Sequence, residues 1–353
     1  MAPCWGSHPN LRIHTELKLR GKPIPSSSRC LGKCNRARVS TPDPAQDYRV
    51  GMSLHHHTLH EGRLLHVGCA CCQPESTACG ELEHAWADTV AFPLRGVFVK
   101  HYDHGAEVVA HVGQVVFFNA GEAYRVSHPA KGGDDCLVLR ANNAVLREML
   151  TSHDARRAER EHNPFRATHA SLPAAVELQR SLLWHGLRSE EASILEVETR
   201  GLSLLDAVLN HTSSDVQRRD EKTTHRSRRR EQSHAVAVLL ADQPSRDWSL
   251  DELAKRVHAS PFHLARSFRR VLGEPVHRYQ LRVRLALALE QVLDASAPLT
   301  SVAMELGFAT PSHFAAAFGR AYGITPSALR RQARPSQARE LRKILTAGQS
   351  SAR

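Results

Sequence analysis

One pattern occurs twice in the last third of the chain and strongly limits how that third can fold. In the first copy, Ser249-Leu250-Asp251-Glu252 has the Ser-x-x-Glu form of a capping box, which satisfies free N–H groups at a helix start. Leu250, Leu253, Ala254 and Val257 continue it as an apolar face at helical spacing, and His258-Ala259 leaves room for only a tight turn. Ser260-Pro261 then opens a second helix, with Ser as N-cap and Pro where its missing N–H costs nothing, and Gly273 closes it as a left-handed cap. Leu264, Phe268, Val271 and Leu272 face one way, and Phe262, Ala265, Arg266 and Arg269 share another surface. A short helix, a tight turn and a longer helix with a basic outer face is the helix-turn-helix pattern, whose second helix enters the major groove of DNA.

About 50 residues later the pattern returns, at the separation expected of an internal repeat. Leu299 to Phe308 gives another short helix, and Thr310-Pro311-Ser312-His313-Phe314 opens another longer one. Ala254 matches Ala303, Val257 Leu306, Pro261 Pro311, His263 His313, Leu264 Phe314, Phe268 Phe318 and Gly273 Gly323. Between the copies, Arg278 to Leu293 is rich in helix formers and lacks Gly and Pro, which predicts one continuous linker helix. Its roughly 15 residues span on the order of 22 Å at 1.5 Å per residue. With the widths of the recognition helices added, the pair approaches the pitch of the duplex.

These residues resemble the DNA-binding domain of the AraC/XylS family of bacterial transcription regulators. The resemblance rests on Leu250-x-x-Leu253-Ala254, on Ser260 to Phe268, on Arg282-Val283-Arg284-Leu285-Ala286, and on Ala303-x-x-Leu306-Gly307-Phe308 followed by Ser312-His313-Phe314-x-x-x-Phe318 and Tyr322 to Pro326. It implies that Ser260, Pro261, Phe262, Ala265, Arg266, Arg269 and Arg270 form the first DNA contact set, and Thr310, Pro311, Ser312, His313 and Arg320 the second. Arg266 can pair bidentately with guanine and Phe262 can meet a thymine methyl, although Arg266 could instead contact phosphate and Phe262 could pack inward. Family members often carry Arg between the two Phe residues of the second recognition helix. This chain has Ala315-Ala316-Ala317 there, so the second unit is expected mainly to position the backbone. Residues 234–334 hold 13 Arg plus Lys against 8 Asp plus Glu, a net of +5, which favours salt-sensitive binding.

The N-terminal half has a different texture. From about residue 62 to 140, short β-branched runs recur between Gly, Asp and Pro, among them 96–100, 107–110, 114–118, 124–126 and 136–139. Such spacing argues for an antiparallel sandwich or barrel, with Asn119-Ala120-Gly121-Glu122 as a tight turn. The stretch from His111 to Glu122 with Tyr124 to Pro129 resembles the cupin-like sensor domains of AraC/XylS regulators. His101, His104, His111 and His128 do not follow the ligand spacing of metal-using cupins. All eight cysteines fall in the first 136 residues. Cys69, Cys71 and Cys72 with Cys79 and His84 form a candidate metal or redox set, weighed against ordinary buried thiols. His55-His56-His57 with His60 reads as an unstructured, adventitious metal binder. From 141 to 212 two amphipathic helices are expected, one around Leu172, Val176, Leu178, Leu182 and Leu183, the other around Ile194 to Leu209.

The expected organisation is multi-domain α and β. Residues 1–50 form an unstructured extension, and 51–140 a cupin-like β-barrel or jelly roll. Helices for packing or dimerisation occupy 141–212, and a basic linker 213–232. An all-α domain of two helix-turn-helix units joined by a linker helix takes up 233–333, and 334–353 are a tail. A net charge of +11 suits a polyanionic partner, and no apolar run reaches membrane-spanning length or forms a secretion leader, which predicts a cytoplasmic protein. The expected function is sequence-specific, effector-controlled regulation on double-stranded promoter DNA, with RNA polymerase as partner, a homodimer as possible assembly, and no catalytic residues or cofactor. Two alternatives are a cupin-type metalloenzyme fused to a DNA-binding domain and a ligand-independent DNA binder.

Overall fold

The computed structural model describes residues 52–333 except 75, 104, 131, 154–162, 190–191, 216–225 and 296. The expected extension 1–50, the tail 334–353 and much of the expected linker lie outside these residues. The described residues hold ten strands, the last of them after the first helix: β1 (Met52–Glu61), β2 (Leu65–Pro74), β3 (Glu83–His84), β4 (Thr89–Arg95), β5 (Val97–Tyr102), β6 (Glu107–His111), β7 (Gln114–Phe118), β8 (Ala123–Ser127), β9 (Asp134–Ala141) and β10 (His169–Ser171). They form a six-stranded sheet in the order β1-β2-β9-β4-β7-β10 and a four-stranded sheet in the order β3-β8-β5-β6. All the pairings are antiparallel. The turn at Asn119–Glu122 joins β7 to β8, with the Glu122 N–H donating to the Asn119 carbonyl at 3.0 Å.

The two-residue period of the strands sorts the side chains into layers. Ala70, Val116, Cys136 and Val138 of the large sheet meet Phe98, Ala110 and Val126 of the small sheet, which makes a core between the two. On the opposite face of the large sheet, Leu65, Val67, Cys69, Cys71, Phe92, Phe117, Leu137 and Leu139 are covered by helices. These are α1 (Asn143–His153), α2 (Ala174–Arg188) and α3 (Ile194–Asp215), so the described residues of the helical region hold three helices and strand β10 where the periodicity predicts two helices. Leu183 and Trp184 of α2 and Leu204, Leu205, Val208 and Leu209 of α3 lie in that core, which accounts for most of the apolar residues that suggested a dimer seam. The histidine run is also ordered: His55, His56 and His57 sit in edge strand β1, paired with Cys71, Ala70 and Cys69 of β2. Pairing with β2 overrides the polar composition there.

The regular elements described in the C-terminal part are helices: α4 (Arg226–Asp242), α5 (Leu250–Arg256), α6 (Pro261–Leu272), α7 (Val276–Asp294), α8 (Leu299–Glu305), α9 (Pro311–Tyr322) and α10 (Pro326–Gln332). The expected linker ended at residue 232, but residues 226–232 are the first turns of α4. That helix forms because Ala235, Val236, Ala237, Val238 and Leu240 are buried on all sides, between Val97, Val99 and Val109 of the small sheet and Leu264 and Phe268 of α6. The core of the helical part thus continues onto the outer face of the small sheet. Among the described residues, no helix is long and apolar enough to cross a membrane.

Candidate nucleic-acid interface

Local chemistry fixes both ends of each short helix pair. The capping box at α5 closes in both directions: Ser249 Oγ accepts from the Glu252 N–H at 3.1 Å, and the Ser249 N–H donates to Glu252 Oε2 at 3.0 Å. The turn passes through His258 at φ 51°, a left-handed conformation uncommon outside glycine. At α6, Ser260 Oγ accepts from the His263 N–H at 3.3 Å, Pro261 takes the first helical position, and Gly273 ends the helix at φ 82°. The second unit repeats this with Thr310 Oγ1 accepting from the His313 N–H at 3.0 Å, then Pro311, with Gly323 at φ 70°.

The two faces of α6 are sharply divided. Leu264 and Phe268 are buried, while Phe262, Arg266, Arg269 and Arg270 face outward and Ala265 is half-buried. Phe262 is 69% exposed, which resolves its alternatives: it does not pack inward. In α9, Phe314, Ala317 and Phe318 are buried, and Pro311, Ser312, His313, Ala316 and Arg320 are exposed. The rings of His313 and Phe308 meet edge-on, with centroids 5.8 Å apart. Among the described residues, Arg266, Arg269, Arg270 and Arg320 make no ion pair, so their charge is available to a polyanion.

Linker helix α7 runs from two residues before the expected start to one residue beyond the expected end. Tyr279, Val283 and Ala286 belong to the core of the first unit, and Leu285, Ala288, Leu289, Val292 and Leu293 to that of the second. One rigid helix is therefore shared by both units.

Several positioning residues carry no separate signal in the sequence. Arg284 donates to the carbonyls of Pro244 at 2.6 Å, Arg246 at 3.1 Å and Gly307 at 2.8 Å, tying the linker helix to the segment before α5 and to the turn of the second unit. Arg330 of α10 donates to the carbonyls of Gln291, Val292 and Ala297 and so closes the C-terminal end of α7. Gly307, at φ 76°, lets that turn approach the Ser245 carbonyl; a Cβ there would lie 2.2 Å from the oxygen. These partners are too far apart in sequence for any local pattern to reveal them.

Residues 253–332 match the family model of a helix-turn-helix domain. Over 104 residues the chain is 30% identical to the urease operon transcriptional activator of Escherichia coli, covering 30% of this chain and 35% of that one. Over 101 residues it is 32% identical to a Streptomyces antibioticus protein described as an AraC-like transcription regulator, covering 29% and 33% of the two chains. Over residues 253–332 the chain therefore carries a helix-turn-helix domain similar to that of AraC-like transcription regulators. It spans about a third of the length of the curated relatives it matches. A crystal structure of a ToxT variant from Vibrio cholerae covers 77% of this chain and 98% of that one at 9% identity, with a TM-score of 0.34, too low to carry weight.

The helix-turn-helix domain is anchored to the rest of the chain by polar contacts as well as by its apolar core. His111 Nδ1 donates to the Val112 carbonyl at 2.6 Å, which leaves Nε2 to accept from the Tyr279 hydroxyl of α7 at 2.5 Å. Burial holds the His111 imidazole neutral, with its pKa lowered to about 3. Arg282 donates to the Gly113 carbonyl at 3.1 Å, and Arg180 of α2 pairs with Glu290 of α7 at 2.9 Å. Glu177 of α2 accepts from the Tyr322 hydroxyl at 3.2 Å. Burial raises its pKa to about 7, against the pull of Arg180 and Arg282.

The cysteine and histidine candidates of the N-terminal half separate in the structure. Cys69 and Cys71 lie on the helix-covered face of β2, with Sγ atoms 3.5 Å apart. Cys72 alternates to the other face, Cys79 pairs through its backbone with Ser127, and His84 is exposed on β3 of the small sheet. His101 is held by Ser127 Oγ at 2.7 Å and Glu107 at 3.1 Å. Among the described residues, the metal-binding side chains that converge are Cys72, His128 and Asp134.

Proposed function

We propose that this chain is a sequence-specific transcription regulator that binds promoter DNA through its paired helix-turn-helix units and is controlled by an effector sensed in its N-terminal half. The observation carrying this reading is the exposed, unpaired arginine face of α6, set on a linker helix shared with a second unit of the same form. In this reading Ser260, Pro261, Phe262, Ala265, Arg266, Arg269 and Arg270 make the first contact set, with Arg266 on base edges and Arg269 and Arg270 nearer phosphate. Thr310, Pro311, Ser312, His313 and Arg320 then position the second helix.

The N-terminal half is proposed as a cupin-like jelly roll, a reading supported by its two stacked antiparallel sheets. A cleft of about 270 Å³ lined by Tyr102, Phe117, Asn119, Glu122, Phe165 and Thr168 is a suitable effector site. Beside it, buried Lys100 is paired with Glu122 at 2.9 Å and lies 3.9 Å from the ring centre of Phe118. Burial lowers its pKa to about 8 despite that pairing. Association with a second copy and with RNA polymerase belongs to the same proposal; exposed Ile194 and Leu195 at the start of α3 support the former.

Genome-wide selection of DNA fragments bound by the full chain at physiological salt tests the reading. A motif with two elements about one helical turn apart is the expected result. Uniform retention of unrelated fragments, with and without cell extract as a source of effector, would contradict it.

A further inference from the structure

Cys72 lies near the end of β2, His128 follows β8 and Asp134 opens β9, so three separate segments bring one metal-binding atom each to a single point. These atoms lie within 4.8 Å of one another, and all three residues are buried. Strand pairing sets Cys72 directly opposite Asp134. A ring nitrogen of His128 lies 2.6 Å from Asp134 Oδ1, and the Cys136 thiol donates to Asp134 Oδ2 at 3.4 Å.

The backbone is shaped to hold this group together. At φ 68°, Gly133 brings the turn before Asp134 against the end of β2, where a Cβ would stand 1.8 Å from the Cys72 carbonyl oxygen. Gly96, at φ 74°, closes the other side, and its Cβ would stand 2.1 Å from the Gly133 carbonyl oxygen.

Charge supplies the second argument. The Asp134 carboxylate is buried, and its contacts are an imidazole and a thiol; the neighbouring guanidinium of Arg95 is paired with Asp135 instead. Burying a carboxylate is costly unless a cation compensates it. A thiolate, an imidazole and a carboxylate with a second thiol at hand make a donor set suited to a borderline-soft, tetrahedral divalent ion.

We propose that Cys72, His128 and Asp134 form a binding site for a zinc-type divalent cation, which leaves the fourth position of a tetrahedral ion to a further donor. Loading releases the Cys72 thiol proton and replaces the His128–Asp134 hydrogen bond by bonds from both groups to the cation, which then compensates the carboxylate. The site does not depend on the DNA-binding reading.

The test is titration of the reduced, full-length, untagged chain with cobalt(II), followed by zinc. One equivalent of cobalt should give the near-ultraviolet thiolate-to-metal band and the visible bands of a tetrahedral ion, and zinc should abolish both. Cys72→Ser and His128→Gln should lose the thiolate band. Cys69→Ser should keep it, because that thiol lies on the opposite face of the same strand. Absence of the thiolate band from the wild-type chain would overturn the proposal even if the variants failed to fold. So would cobalt bound without that band, as an adventitious ion on the β1 histidines, or a band lost in Cys69→Ser but kept in Cys72→Ser.

Discussion

Arg266 and Phe262 stand four residues apart on the outer face of α6, an apolar ring beside a planar cation. Both are exposed, and the adjoining Leu264 and Phe268 are fully buried, so truncating the outer pair does not open the core. Arg266→Ala is therefore expected to leave thermal stability unchanged while costing about 1–3 kcal/mol in specific DNA binding and relaxing preference at one base pair. Competition with single-base variants of the selected site checks this. An equal loss for every sequence would make Arg266 a phosphate contact. The arginines that look alike in sequence divide by location: Arg266, Arg269 and Arg270 face solvent, whereas Arg284 and Arg330 hold carbonyls inside the domain and Arg282 holds the Gly113 carbonyl of the β6–β7 turn.

The two helix-turn-helix elements are alike in form and unlike in surface. In α9 the positions between Phe314 and Phe318 are alanines, and Ala316 is exposed at the position that matches Arg266 of α6. Ala316→Arg is expected to tighten binding at low salt and steepen the log–log salt dependence by about 1, as one further phosphate is neutralised. Binding measured across a salt series decides this, and an unchanged slope would place Ala316 away from the backbone. The turns differ as well: the first passes through His258 at φ 51° and the second through Gly307 at φ 76°. Gly307→Ala is expected to destabilise the chain by about 2 kcal/mol or more, combining a left-handed backbone with a clash against the Ser245 carbonyl. Gly273→Ala, at φ 82° with open space around it, should cost only the backbone strain, about 1 kcal/mol. Urea unfolding of the two variants compares them directly.

Across the whole molecule, α2 and the β6–β7 turn lie against the linker helix through groups that titrate. Glu177 has its pKa raised to about 7 from 4.5 by burial, so the folded chain holds its proton more tightly than the unfolded chain does. Its contribution to stability is fully present below the unfolded value and is lost as pH rises through about 7. Burial lowers the pKa of His111 to about 3 and that of His234 to about 4, and they act in the opposite sense: their contribution is complete above 6.5 and is lost on acidification. In Glu177→Gln the carboxylate's contribution disappears and that of the histidines remains. Relative to the wild type, the variant should gain stability as pH rises from 5 to 7, by at most about 1.4 kcal/mol per pH unit. Urea unfolding at three pH values in that range measures this, and a constant difference would mean that Glu177 does not titrate there.

The sequence by itself determined what depends on neighbours a few residues away. Caps at Ser249, Ser260 and Thr310, stops at Gly273 and Gly323, and the unbroken linker helix are written in short-range chemistry, and repetition of the unit made the C-terminal fold legible. Several β-strands were legible in the same way, from alternation between turn residues. Tertiary structure decided the rest. Histidine-rich β1 is a strand because β2 offers it a hydrogen-bonding edge, and α4 is helical because a sheet and α6 cover its apolar residues. The cysteine cluster divides because consecutive strand residues point to opposite faces, so Cys72 joins His128 and Asp134 and leaves Cys69 and Cys71 behind. Contacts between residues far apart in the chain depend on how sheets and helices stack, and spacing along the chain carries no record of that.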